Sequence, residues 1–103
     1  MTAVSGSGPA YVFLLAECLA AAGTAAGLPE DLAARLARAT VSGAGELMHR
    51  TGELTPATLR ENVTSPGGTT AAALAVLMAE DGLAPLMTRA VAAAKRRAAE
   101  LSR

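Results

Sequence analysis

Apolar and polar residues along this chain follow the period of α-helices rather than that of β-strands. No stretch alternates convincingly between apolar and polar positions, so strands are not predicted. Short breaks rich in glycine, proline and hydroxyl side chains separate the helical runs, as is typical of turns. The pattern predicts an all-α fold with helices over residues 10–22, 32–50, 55–61, 69 or 70 to 78, and 83 to the chain end.

Local signals define where these helices begin and end. Pro9 suits the first turn of the first helix. Pro29 and the two acidic residues after it give a start signal for the second helix, because acidic side chains are favoured at the positive end of the helix dipole. Gly82 predicts a break before the last helix, and Thr69 or Thr70 is expected to cap the fourth.

The second helix is predicted to be amphipathic. Its apolar positions recur three or four residues apart, so they form one stripe facing the core. Charged residues, including Arg35, Arg38 and Glu46, belong to the other face. The stripe consists of Leu32, Leu36, Ala39, Gly43 and Leu47.

The first helix is apolar on nearly every side. Glu17 is its one charged side chain, and Gly23 and Gly27 weaken its end. A helix that is apolar all round must be enclosed on all sides, and a chain of 103 residues has few helices for that purpose. We therefore expect a buried helix in an obligate homodimer, in which a partner chain covers the side that this chain leaves open.

The same segment, residues 10–28, is nearly long enough to span a bilayer. Glu17, Thr24 and two glycines interrupt it and no basic flank marks an orientation, so we expect a core helix and no membrane partner. No charged leader followed by an apolar core and a cleavage site opens the chain, and a cytoplasmic location is expected.

Composition limits the possible core and partners. Hydrophobic residues make up 51% of the chain but aromatic residues only 2%, so the core must be aliphatic and built from small side chains. Small side chains bury little area each, and oligomerisation commonly compensates. Nine basic and nine acidic residues give a net charge of zero, which argues against a nucleic-acid partner.

Few side chains are suited to catalysis. His49 is expected to be a surface residue near a helix end, and Cys18 a small core residue rather than a reactive thiol. Tyr11 and Phe13 are expected to pack, with the Tyr11 hydroxyl as a further group for a site at the helix start. No pair of His, Cys, Asp or Glu has the spacing of metal ligands, so no metal site is expected.

A glycine pair before the first helix resembles the opening of a dinucleotide-binding fingerprint. Tyr11 stands where the third glycine of that fingerprint would be, and no apolar strand precedes Gly6 and Gly8. A nucleotide-binding fold is therefore not expected in this chain. Residues 5–9 are also consistent with a flexible hinge followed by a helix cap.

The segment "TSPGGTT", residues 64–70, has two interpretations. Amides at a helix start lack intrahelical partners and carry partial positive charge, and Gly67 and Gly68 let a ligand approach the backbone. With the hydroxyls of Thr69 and Thr70, this helix start can hold a small anion such as a carboxylate without a lysine or arginine. A tight turn with a threonine cap explains the same residues.

Three segments together resemble a known enzyme family. "SGSGPAYVFLLAE" (5–17), "GLPEDLAARLA" (27–37) and "NVTSPGGTTAAAL" (62–74) are similar to the C-terminal helical domain of pyrroline-5-carboxylate reductases, and the resemblance covers residues 3–101. It implies a helical bundle that forms an interlocked homodimer, like the C-terminal domain of 6-phosphogluconate dehydrogenase, with further assembly into a ring. It also implies reduction of 1-pyrroline-5-carboxylate to L-proline with NAD(P)H.

The resemblance also implies the residues of a substrate site. The loop that includes Ser65, Gly67, Gly68 and Thr69 would hold the substrate carboxylate, with Val63 at the edge of the pocket. The residue in the position of Thr70 hydrogen-bonds the ring nitrogen and orients the imine, which makes Thr70 the expected catalytic residue. The family often has a small residue where Thr69 stands.

NAD(P)H binds to an N-terminal Rossmann domain in that family, and this chain begins almost directly before the first motif. We therefore expect residues 1–103 to be a single dimerisation and substrate-binding domain, without the Rossmann domain, without bound cofactor and inactive alone. The alternative is a stand-alone helical dimerisation module that keeps the motifs only as structural turns.

Overall fold

The computed structural model describes residues 2–102, and every regular element among them is helical. A π-helical segment, Thr2–Gly6, precedes the α-helices. The prediction of an all-α fold is confirmed, and the predicted helix ends are correct to within a few residues. The α-helices are α1 (Gly8–Ala25), α2 (Glu30–Arg50), α3 (Pro56–Asn62), α4 (Thr69–Leu77) and α5 (Leu83–Leu101).

The chain divides into two compact units. We call residues 7–53 the hairpin unit, which contains α1 and α2. We call residues 2–6 and 54–102 the loop unit, which contains the π-helical segment and α3 to α5.

In the hairpin unit, α1 ends in a Schellman motif. The amide of Gly27 donates to the carbonyl of Thr24, and the amide of Leu28 donates to the carbonyl of Gly23, each over 3.0 Å. Gly27 has a φ of +114°, which glycine adopts without the steric cost of a β-carbon. The helix therefore continues through Gly23, which we expected to weaken it, and ends at Ala25.

Small side chains form the contact between α1 and α2. Ala33 and Ala37 are the buried residues of α2, and a β-carbon added to Gly23 would lie 3.3 Å from the β-carbon of Ala33. The predicted leucine stripe of α2 is not the buried face of the single chain. Leu36 and Leu47 each remain 47% exposed, because α1 packs on the neighbouring alanine positions instead.

A single chain does not enclose α1. No residue of this helix is buried, and Phe13 is 68% exposed. We expected a partner chain to complete the cover of this helix, so burial of α1 with Phe13 and Cys18 stays a prediction for the dimer, and in the single chain Cys18 is exposed. The cause is that α2 covers only a narrow face of α1, on which Ala16, Ala20 and Gly23 are partly buried.

One segment among the described residues, Thr2–Ala25, is long and apolar enough to cross a membrane, with a mean hydropathy of 1.3. The core helices of soluble proteins reach the same length and hydropathy, and so do signal sequences near an N-terminus. Length and hydropathy are therefore shared by membrane spans, core helices and signal sequences.

In the loop unit, the π-helical segment lies against α5 and buries Ala3. This helical backbone up to Gly6 replaces the hinge that the sequence suggested at residues 5–9. Further along the chain, the predicted start of α3 is confirmed: Thr55 is its N-cap, and the Thr55 hydroxyl accepts a hydrogen bond from the amide of Thr58 over 3.1 Å.

The predicted break at Gly82 is also confirmed, and it depends on the small size of glycine. Residues 78–82 join α4 to α5, and the amide of Gly82 donates to the carbonyl of Ala79 over 2.8 Å. A β-carbon on Gly82 would lie 2.8 Å from the carbonyl carbon of Leu77 and 2.9 Å from the carbonyl oxygen of Ala79. Such contacts require the backbone to move.

We expect Gly82→Ala to lower the free energy of unfolding by about 2 kcal/mol, because the added methyl group meets backbone atoms. Chemical denaturation followed by circular dichroism measures the change. Gly52→Ala is the matched control, since nothing lies within 4 Å of a β-carbon at that position. The control should change the free energy by less than about 0.5 kcal/mol, and equal stabilities of the two variants would contradict the prediction.

Candidate functional site

The six predicted site residues all lie within residues 63–70 of the loop unit. Residues 63–68 connect the end of α3 to the start of α4, and Thr69 and Thr70 are the first two residues of α4. Apart from the partly buried Gly68, the predicted site residues are exposed, and Val63 is 65% exposed. The structure therefore brings all of them together on one accessible loop and helix start.

A β-turn shapes the middle of this segment. The amide of Gly68 donates to the carbonyl of Ser65 over 3.0 Å, and Pro66 and Gly67 are the two central residues of the turn. Gly67 has a φ of +71°, as the third residue of a type II turn requires. A β-carbon on Gly68 would lie 3.2 Å from the carbonyl oxygen of Ser65, which is a tight contact. The turn therefore depends on both glycines.

The N-cap of α4 is Gly68, not Thr69 or Thr70 as the sequence suggested, and no side chain caps this helix. The threonines lie inside the first turn because the β-turn already places Gly68 in the extended conformation of an N-cap, with ψ near −175°. The first backbone hydrogen bond of α4 runs from the amide of Ala72 to the carbonyl of Gly68. No hydrogen bond of the amides of Thr69, Thr70 and Ala71 is found within the described part of the chain.

This arrangement has the properties of a small anion site. Three amides point out of the helix start, where the helix dipole gives a partial positive charge. The hydroxyls of Thr69 and Thr70 make no hydrogen bond to residues 2–102 and are therefore available as donors. A carboxylate is the kind of group that such donors bind.

The loop is attached to α3 through Thr64. The Thr64 hydroxyl donates to the carbonyl of Arg60 over 2.6 Å, and the Thr64 amide donates to the carbonyl of Glu61 over 3.1 Å. Thr64 is partly buried, unlike the site residues that follow it. The entrance to the turn is thus held at the end of α3.

A groove of about 390 Å³ lies beside the loop, between α3 and α4. Its polar part consists of Arg60, Glu61 and Thr64, and the Arg60 guanidinium lies 3.9 Å from the Glu61 carboxylate. Arg60 and Glu61 stand close before the loop in the sequence, but they were not predicted as residues of the site. The four-residue spacing from Arg60 to Thr64 was the available signal, since it places both on one helical face. The groove is otherwise lined by Ala71, Leu74, Ala75 and Met78.

The remaining candidate residues lie outside the loop. His49 is exposed in the last turn of α2, as predicted. Tyr11 is partly buried and belongs to α1 of the hairpin unit. Across residues 2–102, no three side chains of His, Cys, Asp or Glu come together in a group that could hold a metal ion.

The comparisons with known proteins all indicate the same family. The family model described as pyrroline-5-carboxylate reductase dimerisation matches residues 1–101. A pyrroline-5-carboxylate reductase of Arabidopsis thaliana is 52% identical over 96 residues, which are 93% of this chain and 34% of that protein. The corresponding protein of Synechocystis is 50% identical over the whole chain and 38% of its own length.

A third relative, the pyrroline-5-carboxylate reductase of Pseudomonas aeruginosa, is 47% identical over 99% of this chain and 37% of its own length. The chain thus spans between about a third and two fifths of the length of these relatives.

The geometry of the turn leads to a prediction about Gly67. We expect Gly67→Ala to lower the free energy of unfolding by about 1 to 2 kcal/mol, because an L-residue is strained at a φ of +71°. Gly67→Asn should cost less, since asparagine tolerates the left-handed region better than alanine. Urea denaturation of the three proteins tests this order, and an alanine variant as stable as the parent chain would disprove it.

Proposed function

The chain belongs to the pyrroline-5-carboxylate reductase dimerisation family, and from this membership we propose that it is the dimerisation and substrate-carboxylate-binding domain of such a reductase. The proposed reaction reduces 1-pyrroline-5-carboxylate to L-proline with NAD(P)H. The observation that carries the proposal is the start of α4, where a glycine turn is followed by three amides and two hydroxyls that make no hydrogen bond within residues 2–102.

This helix start suits the substrate carboxylate. The amides of Thr69, Thr70 and Ala71 and the positive end of the helix dipole bind the carboxylate without a cation. In pyrroline-5-carboxylate, the carboxylate is attached to the carbon next to the ring nitrogen. The Thr70 hydroxyl, one residue into the same turn, is therefore proposed to orient that nitrogen. Val63, exposed at the end of α3, forms the edge of the pocket.

The residues described here do not fit a dinucleotide. They contain no strand, and the dinucleotide fold needs a strand, a glycine turn and a helix in succession. We propose that NAD(P)H binds to a separate N-terminal Rossmann domain of the reductase, where it supplies the hydride. The part assigned to this chain is to bind and orient the imine, because correct positioning alone contributes a large part of the rate of such reactions.

The exposed apolar surface of α1 supports the proposal of a homodimer. Large apolar side chains that protrude from one helix without cover are typical of a surface buried in an obligate assembly. We propose that this surface, the α1 surface, packs against a second copy in an interlocked dimer, which assembles further into a ring. The α1 surface consists of Val12, Phe13, Leu14, Leu15 and Leu19.

We further propose a cytoplasmic protein without membrane or nucleic-acid partners. A net charge of zero provides no field that would attract nucleic acid. The apolar segment Thr2–Ala25 is assigned to the dimer interface rather than to a membrane, because the charged residue Glu17 lies in its interior.

The experiment for the proposed function compares two adjacent threonines in the reductase that carries this domain. We expect Thr70→Ala to lower kcat/KM for pyrroline-5-carboxylate by about tenfold to a hundredfold, because a hydrogen bond to a charged ring nitrogen is lost. Thr69→Ala should change kcat/KM by less than about threefold, since the Thr69 hydroxyl is not assigned to the imine nitrogen. Steady-state kinetics and thermal unfolding of both variants separate an effect on turnover from one on folding.

Unchanged kinetics of the Thr70→Ala variant would remove Thr70 from the mechanism. A parent protein that neither reduces the imine nor binds proline would instead favour the stand-alone dimerisation module.

A second prediction concerns the dimer. We expect Phe13→Glu to weaken self-association by at least about tenfold, because a carboxylate replaces an apolar contact of the interface. Leu101→Glu is the matched control: Leu101 and Phe13 are both 68% exposed, but Leu101 follows the charged pair Arg97–Glu100 at the end of α5. Light scattering over a concentration series measures both variants. A parent chain that is a monomer at micromolar concentration would contradict the proposed dimer.

A further inference from the structure

Thr64 differs from the other hydroxyl residues of the "TSPGGTT" segment. The segment has four hydroxyl side chains, those of Thr64, Ser65, Thr69 and Thr70. Within residues 2–102, only the hydroxyl of Thr64 makes a hydrogen bond, 2.6 Å long, to the carbonyl of Arg60. Its proton is therefore directed at the protein backbone and not at the space in front of α4.

Thr64 also begins a continuous series of hydrogen bonds from α3 to α4. The amide of Thr64 donates to Glu61, the amide of Gly68 donates to Ser65, and the amide of Ala72 donates to Gly68. Ser65 follows Thr64 directly, so the position of the turn depends on how firmly Thr64 is held. The nearest other contact, from the amide of Val63 to the carbonyl of Arg60, is longer, at 3.3 Å.

We propose that Thr64 is a positioning residue, whose hydroxyl anchors the Ser65–Gly68 turn to α3 and thereby holds the start of α4 ready for the substrate carboxylate. This inference rests on the function proposed above. Thr64 contacts no reacting atom and acts through the turn. Without its hydroxyl, part of the binding energy of the carboxylate would be used to order the loop.

The proposal separates the role of Thr64 from that of Thr70. If the substrate must first order the loop, the ground state and the transition state lose the same amount of binding energy. KM then rises, and kcat is nearly unchanged. Thr70 is assigned to the orientation of the imine, so its loss lowers kcat. The change in KM relative to the change in kcat therefore distinguishes the two roles, and a general loss of stability does not reproduce this difference.

The test uses three variants of the reductase that carries this domain. Thr64→Val keeps the branched shape and loses the hydroxyl, and we expect it to raise KM for pyrroline-5-carboxylate about fivefold, as the loss of one ordinary hydrogen bond does, with kcat within about twofold. Thr64→Ser keeps the hydroxyl and should restore KM. Thr88→Val is the matched control, because the Thr88 hydroxyl makes the same kind of bond, to the carbonyl of Ala84 in α5, away from the loop.

Amide hydrogen exchange provides a second measurement that requires no substrate. We expect the Gly68 amide, which closes the turn, to exchange faster in the Thr64→Val variant than in the parent protein, and at the parent rate in the Thr88→Val variant. Thr64→Ala replaces the valine variant in both measurements if valine prevents folding.

Each outcome decides the proposal. A raised KM that serine restores, together with faster exchange at Gly68, supports it. An unchanged KM, an equal effect of Thr88→Val, or a fall in kcat with KM unchanged overturns it. Activity of the parent enzyme on the imine is measured first, so that failure of the proposed function is distinguished from failure of this inference.

Discussion

The structure of this chain depends on how little apolar surface small side chains bury. The buried residues of the described chain are Ala3, Ala33 and Ala37, and each contributes only on the order of one methyl group of hydrophobic stabilisation. The large apolar side chains of α1 remain at the surface. A single copy therefore lacks an adequate core, and the family to which the chain belongs is defined by dimerisation. Burial of the α1 surface by a second copy would supply the missing stabilisation.

The candidate site is built in a different way, from bonds between residues close together in the chain. Arg60 and Glu61 hold Thr64, the turn from Ser65 closes at Gly68, and α4 begins at the next residue. Because each contact spans only three or four residues, the shape of the site follows from local backbone chemistry. The proposed dimer surface and the proposed carboxylate site thus belong to separate parts of the chain, the apolar α1 surface and the polar helix start.

An uncharged site also suits the proposed chemistry. A lysine or arginine at the loop would bind many anions, whereas backbone amides in a fixed turn select by size and shape. Because the described residues contain no strand for a dinucleotide-binding fold, the chain's proposed contribution is to hold the imine in one orientation. The Arg60–Glu61 pair beside the loop keeps the groove near neutrality, since its two charges oppose each other.

Sequence alone determined the helices, the breaks and the loop. Glycine, proline and helical periodicity act on neighbouring residues, so the end of α1 before Gly27 and the turn at Gly67 follow from local signals. The tertiary structure decided which faces are buried: Ala33 is buried in place of the leucine stripe, and Phe13 is exposed. It also decided that Arg60 lines one groove with Leu74 of α4. Burial depends on which surfaces meet. In this chain the helices pack where small residues let them approach closely, and not where the single positions are most hydrophobic.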